Sequence, residues 1–270
     1  MKMNLEDFKA FLQEKELSQG TIRNYLYAVE KYFESYPELT KQNVLAWKSE
    51  LVQTLGACTV NARLIAIKCY ASYKGVFVPV KAVKIQRVFS TSNIITDEQY
   101  IRLMNGLKAD GDIQWYYNIL IFAKTGTRIS EAVRLKKSDI MRGYATIVSK
   151  GKVRTILFPY SLKAELDSYL KKLDNQEYLL QSSKNRGNRP ISRRACCYAL
   201  TRFSERYGIP QEVMHPHSFR HHFAIKVMDK TKDVTLLADL LGHSSVSTTM
   251  VYTRLSSNQQ QKILDDAVDW

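Results

Sequence analysis

The stretch 215-HPHSFRHHFAIKVMDKTKDVTLLADLLGHSSVSTTMVYTRL-255 holds every histidine of the chain: His215, His217, His221, His222 and His243. Pro216 stands where a helix begins, because the N–H it lacks would be unpaired in a first turn anyway. Phe219, Phe223, Val227 and Met228 supply an apolar face for that helix. His217 and Arg220, three apart, share another edge, so an imidazole and a guanidinium point at one spot. Val234, Leu236, Leu237, Leu240 and Leu241 form a second helix, which Gly242 stops, leaving His243 just beyond. Ser244 to Ser247 offer hydroxyl caps for a further helix, TTMVYTRL, carrying Tyr252. His215, His221 and His222 read as packing or supporting groups.

This set of side chains does not suit a metal. It lacks the paired histidines of HExxH, and the chain has no paired CxxC spacing. Arginine repels cations and forks onto phosphate oxygens. The stretch therefore reads as an anion site with a hydroxyl nucleophile beside it. Upstream, the apolar run Trp115–Ala123 reads as a buried helix broken at Gly126 in Lys124-Thr-Gly-Thr-Arg128-Ile-Ser-Glu131. Arg128 and Glu131, three apart, share one face of the next turn.

In order, H-x-x-R, L-G-H and Y are filled by His217–Arg220, Leu241–His243 and Tyr252, and T-G-x-R-x-x-E by Thr125–Glu131. The chain thereby resembles the tyrosine recombinases, or phage-integrase-type site-specific recombinases, in their simple two-domain, Xer-like form. The resemblance implies a site-specific recombinase that cuts and rejoins DNA through a covalent 3′-phosphotyrosyl link, for integration, excision, inversion or dimer resolution. Its catalytic residues would be Arg128, Lys150, His217, Arg220, His243 and Tyr252, with Glu131 orienting Arg128. In that scheme Tyr252 attacks phosphorus and loses its proton towards His217, and a hairpin lysine protonates the leaving oxygen. The family's G-K-G-x-K-x-R pattern meets Ser149-Lys150-Gly151-Lys152 here, with one residue fewer in the loop, which places Lys150 ahead of Lys152 for that role. No cofactor or metal is implied. Two other readings stay open: a type IB topoisomerase, and a catalytically silent DNA-binding protein.

Composition fits a polyanion partner. The 270 residues include 40 Lys and Arg against 26 Asp and Glu, a net charge of +14. Cys58, Cys69, Cys196 and Cys197 make no disulfide framework and suit a reducing compartment. The opening MKMNLEDFKAFL is charged and amphipathic, unlike a signal peptide, and no run approaches the ~18 apolar residues of a membrane span. A soluble, cytoplasmic protein is expected.

Residues 1–87 read as four short helices, with starts at Ser18, Thr40 and Thr59 and a break at Pro37. In the resembling family such a bundle is a core-binding domain that clamps double-stranded DNA, which makes Arg23, Arg63 and Lys68 candidate phosphate contacts. Residues 88–95 read as the end of a linker, VPVKAVKIQRVFSTSN, and 96–270 as the catalytic domain. There, β-branched runs flanking Lys150-Gly151 predict a hairpin, and Leu162–Leu173 an amphipathic helix. Arg186, Arg189, Arg193, Arg194 and Arg202 belong to the densest basic stretch and, with Lys152, are candidate DNA contacts. The expected fold class is mainly α with a small β-hairpin: an N-terminal helical bundle plus a mixed α/β catalytic domain. The resemblance also implies a homo-tetramer on two DNA sites, with room for a second recombinase or an accessory protein. The tail after Tyr252 carries a small apolar face that would pack on its own body or on a neighbour.

Overall fold

The computed structural model describes residues 5–85, 93–149, 152–173, 177–181, 189–243 and 245–253, with 265 and 268, and leaves out the side chains of Ser149 and Lys152. The chain divides into two compact units, 1–88 and 89–270. The first holds α1 (Glu6–Glu14), α2 (Gln19–Ser35), α3 (Lys41–Thr54) and α4 (Ala57–Tyr73). Ser18 and Thr40 cap as their sequence suggests, each side-chain oxygen accepting from the backbone N–H three residues on. α4 begins two residues before Thr59, because Gly56 takes the extended cap conformation and its carbonyl accepts from Thr59 and Val60. The apolar stripes of the four helices meet in one core around Phe8, Leu12, Tyr32, Trp47 and Ile67. Part of the expected linker belongs to this unit. Val78 and Val80 are buried in its core, and the Asn61 side chain bonds both the N–H and the carbonyl of Val83. Residues 86–92 lie outside the described residues.

The second unit starts with α5 (Asp97–Ala109), where Thr96 and Gln99 form a reciprocal capping box. α6 (Ile113–Thr125) is apolar on most sides and runs through the core, ended by Gly126 at φ +58°. Only glycine suits that position. The left-handed backbone disfavours a side chain, and an added Cβ would strike the Phe223 ring. Then follow α7 (Ile129–Ala132), α8 (Lys137–Arg142), β1 (Tyr144–Ser149), β2 (Lys152–Leu157), α9 (Tyr160–Lys172) and α10 (Arg193–Tyr207). β1 and β2 are antiparallel in the register Ala145↔Ile156, and Ser149 faces Lys152. The turn between them, with Lys150, lies outside the described residues, as do Arg186 and the tail from 254 to 264.

α11 (Pro216–Thr231) and α12 (Val234–Leu241) complete the unit. Pro216 opens α11 and Gly242 ends α12 at φ +61°. α11 packs on α6, with Phe219 stacked on Phe122. The second core gathers around Leu103, Leu107, Phe122, Leu162, Leu200 and Phe219. The helix expected at TTMVYTRL is, as far as it is described, two 3₁₀ turns, Val246–Thr248 and Met250–Thr253, the first capped by Ser245. Threonine and valine are poor helix formers, and Thr249 is buried with its hydroxyl bonded to His243 instead.

Candidate active site

The C-terminal end of α6 gives the site its floor. Past Gly126 and Thr127, Arg128 takes an extended conformation as the cap of α7. Glu131 closes the turn. Its Oε2 accepts from the Arg128 N–H at 2.9 Å, and its Oε1 accepts from Arg128 Nη1 at 3.1 Å. The same carboxylate accepts from Arg154 Nη1 at 2.5 Å, and Arg154 Nη2 donates to Leu240 O at 2.6 Å.

Arg154 received no role from the sequence, although a signal was present. It has the strand parity of buried Ile156, so it faces inward, and a buried guanidinium needs a carboxylate. Gly242 leaves the room for it: any Cβ there would collide with the Arg154 side chain.

Arg220 enters from α11 and is 4% exposed. It donates through Nη1 to Gly126 O at 2.6 Å and through Nη2 to Leu241 O at 2.7 Å. Nη2 also lies 3.0 Å from His243 Nε2. Because a guanidinium only donates, Nε2 is the acceptor, and His243 Nδ1–H therefore donates to Thr249 Oγ1 at 2.7 Å. Burial, then Arg220, Arg128 and Arg154, push the pKa of His243 down to about 4, so the imidazole is neutral. Arg128 Nη2 donates to Gly242 O at 3.4 Å. Two guanidiniums, Arg128 and Arg154, thus bond one carboxylate, with Arg220 close enough to feel all three charges. Burial first, then the neighbouring Arg128 and Arg154, lower the pKa of Arg220 to about 9.

Tyr252 sits on the last 3₁₀ turn, 8% exposed, in a small core with Ala224, Met228, Leu237 and Leu241. Its hydroxyl is 2.5 Å from His221 Nδ1. The sequence reading sent the proton to His217 and left His221 as a packing or supporting group; the structure bonds His221 to the hydroxyl. His217 is exposed at the start of α11, and its pKa is lowered by desolvation, then by Arg220, His215 and Arg128. His215 caps α11, its Nδ1 accepting from the Ser218 N–H at 3.1 Å. His222 pairs with Asp97 at 2.8 Å, tying α11 to the start of α5.

The structure therefore brings Arg128, Glu131, Arg220 and His243 into one bonded cluster and sets Tyr252 on the residue next to Arg220. Residues 93–259 match the phage integrase family, and residues 5–74 match its N-terminal SAM-like domain. The chain belongs to the phage integrase family.

Among phage integrase relatives, tyrosine recombinase XerA of Pyrococcus furiosus is 28% identical, over 97% of this chain and 93% of its own length. Tyrosine recombinase XerC of Lactobacillus delbrueckii subsp. bulgaricus is 27% identical over 93% of this chain and 94% of its own. A crystal structure of XerH site-specific recombinase bound to palindromic difH substrate superposes with a TM-score of 0.71 at 20% identity, covering 92% of this chain and 78% of that one. The mainly helical phage integrase fold with its single described hairpin is the one expected.

The remaining candidates lie on surfaces. In the first unit Arg23 is exposed on α2, and Arg63 on α4 lies over the Tyr27 ring at 5.6 Å. Tyr27 is one turn beyond Arg23, so these three share a face. Lys68 is exposed on α4 but roughly 140° around the helix from Arg63. In the second unit Arg189, Arg193, Arg194 and Arg202 are exposed. Arg193 and Arg194 open α10, where the helix dipole disfavours cations.

Glu131 sets the stability of this phage integrase site. Removing a buried partner leaves a charge uncompensated, at about 3–5 kcal/mol. Glu131→Ala is expected to lower the melting temperature of the second unit by roughly 10 °C. Adding Arg154→Met should recover much of the loss in a thermal melt, because apolar replacement of a buried ion pair is close to neutral.

Proposed function

We propose that this chain is a site-specific DNA recombinase that breaks and rejoins strands by transesterification through Tyr252. The observation that carries the reading is a buried hydroxyl bonded to His221, the neighbour of Arg220, with three guanidiniums and one carboxylate gathered in the same unit. A phosphodiester repels nucleophiles. Arg128 and Arg220 neutralise its non-bridging oxygens and stabilise the charge that grows in the pentacoordinate transition state. Both keep N–H groups beyond those given to carbonyls. His243 hydrogen-bonds the phosphate, His217 stands at the exposed edge of the same cluster, and Glu131 holds Arg128 in place. Lys150 protonates the departing 5′-oxygen. Since the phosphotyrosyl ester keeps the bond energy, a 5′-hydroxyl from another strand reverses the step without a nucleotide cofactor.

The partner is double-stranded DNA. Residues 1–87 grip it through Arg23 and Arg63, with Lys68 a weaker candidate by its position. Residues 96–270 grip it through Lys152, Arg186, Arg189, Arg193, Arg194 and Arg202. Arginines at the start of α10 are better placed once a phosphate lies over that terminus. Two duplexes must be cut, so the working form is a homo-tetramer on two sites, with a second recombinase or accessory protein as a possible companion, acting in the cytoplasm. Among the described residues no helix is long and apolar enough to cross a membrane.

The test starts by sequencing DNA fragments that the protein retains from its host's genome, which yields the core site. A nicked suicide duplex bearing that site is then incubated with protein and run on a denaturing gel. A covalent band that persists in EDTA is the expected result, and exchange between two sites separates a recombinase from a topoisomerase. A bound but uncleaved duplex would leave only a silent DNA-binding protein.

A further inference from the structure

We propose that His221 is the base that takes the phenolic proton of Tyr252, and that a bound phosphodiester is what makes it competent to do so. The inference rests on the recombinase reading given above and gives a proton-transfer role to a residue that the sequence reading left as a packing or supporting group. Its footing is geometric. The Tyr252 hydroxyl lies 2.5 Å from His221 Nδ1, within a turn packed against α11 and α12. A tyrosine this enclosed gives its proton most directly to the group already bonded to it.

His221 follows Arg220 on α11, roughly 100° further round the helix. Arg220 therefore faces the carbonyls of Gly126 and Leu241 while His221 faces the tyrosine turn. One helical residue step carries both the phosphate holder and the proton acceptor.

The surroundings explain why the pair is silent without DNA. His217 one turn back on α11, its cap His215 and the adjacent Arg220 all act electrostatically on His221, His243 beyond α12 is within electrostatic reach, and the Tyr252 hydroxyl is bonded to it. Burial, then His217, His215 and Arg220, lower the pKa of His221 to about 4, and burial raises that of Tyr252. In that field a cationic His221 is disfavoured and the phenol keeps its proton. A phosphodiester seated on Arg128 and Arg220 brings one negative charge, and a second develops in the transition state. Both act on His221 with the opposite sign to Arg220 and restore its basicity.

In the cleavage step the Tyr252 O–H bond breaks, its proton passes to His221 Nδ1, and the oxygen electron pair forms the new O–P bond. The bond from phosphorus to the 5′-oxygen breaks with its pair on that oxygen, which takes a proton from Lys150. Rejoining reverses each transfer, so the phenolate recovers its proton from His221.

The experiment uses the full-length protein and the core-site suicide duplex, made with either oxygen or sulfur at the scissile 5′ position. Sulfur leaves as a thiolate and needs no general acid, so its rate reports attack by Tyr252 alone. His221→Asn can accept a hydrogen bond from the phenol but cannot take its proton. It is expected to bind the duplex within about twofold of wild type and to cleave both duplexes about 100-fold more slowly. Lys150→Ala should be slow on oxygen only. With the wild type, cleavage of the sulfur duplex should fall as pH drops below neutrality, whereas His221→Asn should show a rate proportional to hydroxide.

Wild-type cleavage of the sulfur duplex by His221→Asn overturns the assignment and leaves a purely structural hydrogen bond. Should that variant fail to fold, wild-type cleavage of the sulfur duplex by His221→Gln overturns it equally, and a wild-type sulfur rate that stays flat from about pH 5 to 8 overturns the part given to the phosphodiester. Failure of the wild type to form any covalent product on bound DNA is a different result, and sinks the recombinase reading together with this one.

Discussion

Tyr252→Phe is expected to bind core-site DNA as the wild type does and to give no covalent complex at all. The substitution removes one oxygen. The ring still fills the space between Ala224, Met228, Leu237 and Leu241, so the turn that carries it keeps its apolar support. What is lost to stability is the hydroxyl's bond to His221, about 1 kcal/mol, a few degrees in a melt. What is lost to chemistry is the nucleophile, for which no binding energy compensates. Gel retardation and denaturing-gel capture on the same duplex separate the two. Covalent product above about one per cent of wild type would show that another group attacks, and would remove Tyr252 from the centre of the mechanism. The magnitude at stake is the whole of the enzyme's rate enhancement, commonly ~10⁶-fold or more.

The second large effect is expected at Arg220. Arg220→Lys keeps a positive charge but cannot reach Gly126 O and Leu241 O together while presenting a fork to phosphate. Removing one aligned donor from a developing oxyanion costs about 10²–10³ in rate, and a guanidinium supplies charge as well. Cleavage by Arg220→Lys should therefore fall about 10³-fold, with DNA affinity changed only a few fold because most phosphate contacts lie elsewhere. Replacing one non-bridging oxygen of the scissile phosphate with methyl removes the anion and should shrink the deficit. A loss below about tenfold on the ordinary substrate would mean that Arg128 alone carries the charge. The fold should survive, since an ammonium can still donate to Gly126 O or Leu241 O and the core around Phe219 is untouched.

Much of the architecture is legible in local sequence because its signals are local. Ser18, Thr40 and Thr96 start helices by bonding an N–H three residues away, and Gly126 and Gly242 stop them by entering the left-handed region. Pro216 opens α11 for an equally local reason. The ordered blocks also name four of the side chains that meet around Glu131 and Arg220. The partners of those side chains were hidden. Arg154 reaches Glu131 across 23 residues, Arg220 reaches Gly126 across 94, and His221 reaches Tyr252 across 31. Such pairings are not written in local sequence, because each depends on how distant elements pack: β2 on α7, α11 on the end of α6, and the last 3₁₀ turn on α11. The TTMVYTRL segment misled in the opposite sense: cap hydroxyls promise a helix, but a buried Thr249 and its bond to His243 hold it in tight turns.

The bonds that gather residues 126, 154, 220, 243 and 252 also set when the cluster can exist during synthesis. Roughly a hundred residues separate Arg154 from Tyr252, which at about 5–20 residues per second is on the order of 5–20 s of translation. During that interval the first unit, which has a hydrophobic core of its own, is free to fold. A nascent chain, or a fragment cleaved anywhere between Arg128 and Tyr252, is thus denied strand-breaking chemistry whatever DNA it touches. For a protein that severs DNA strands, the order in which the ribosome delivers its residues works as a safety catch.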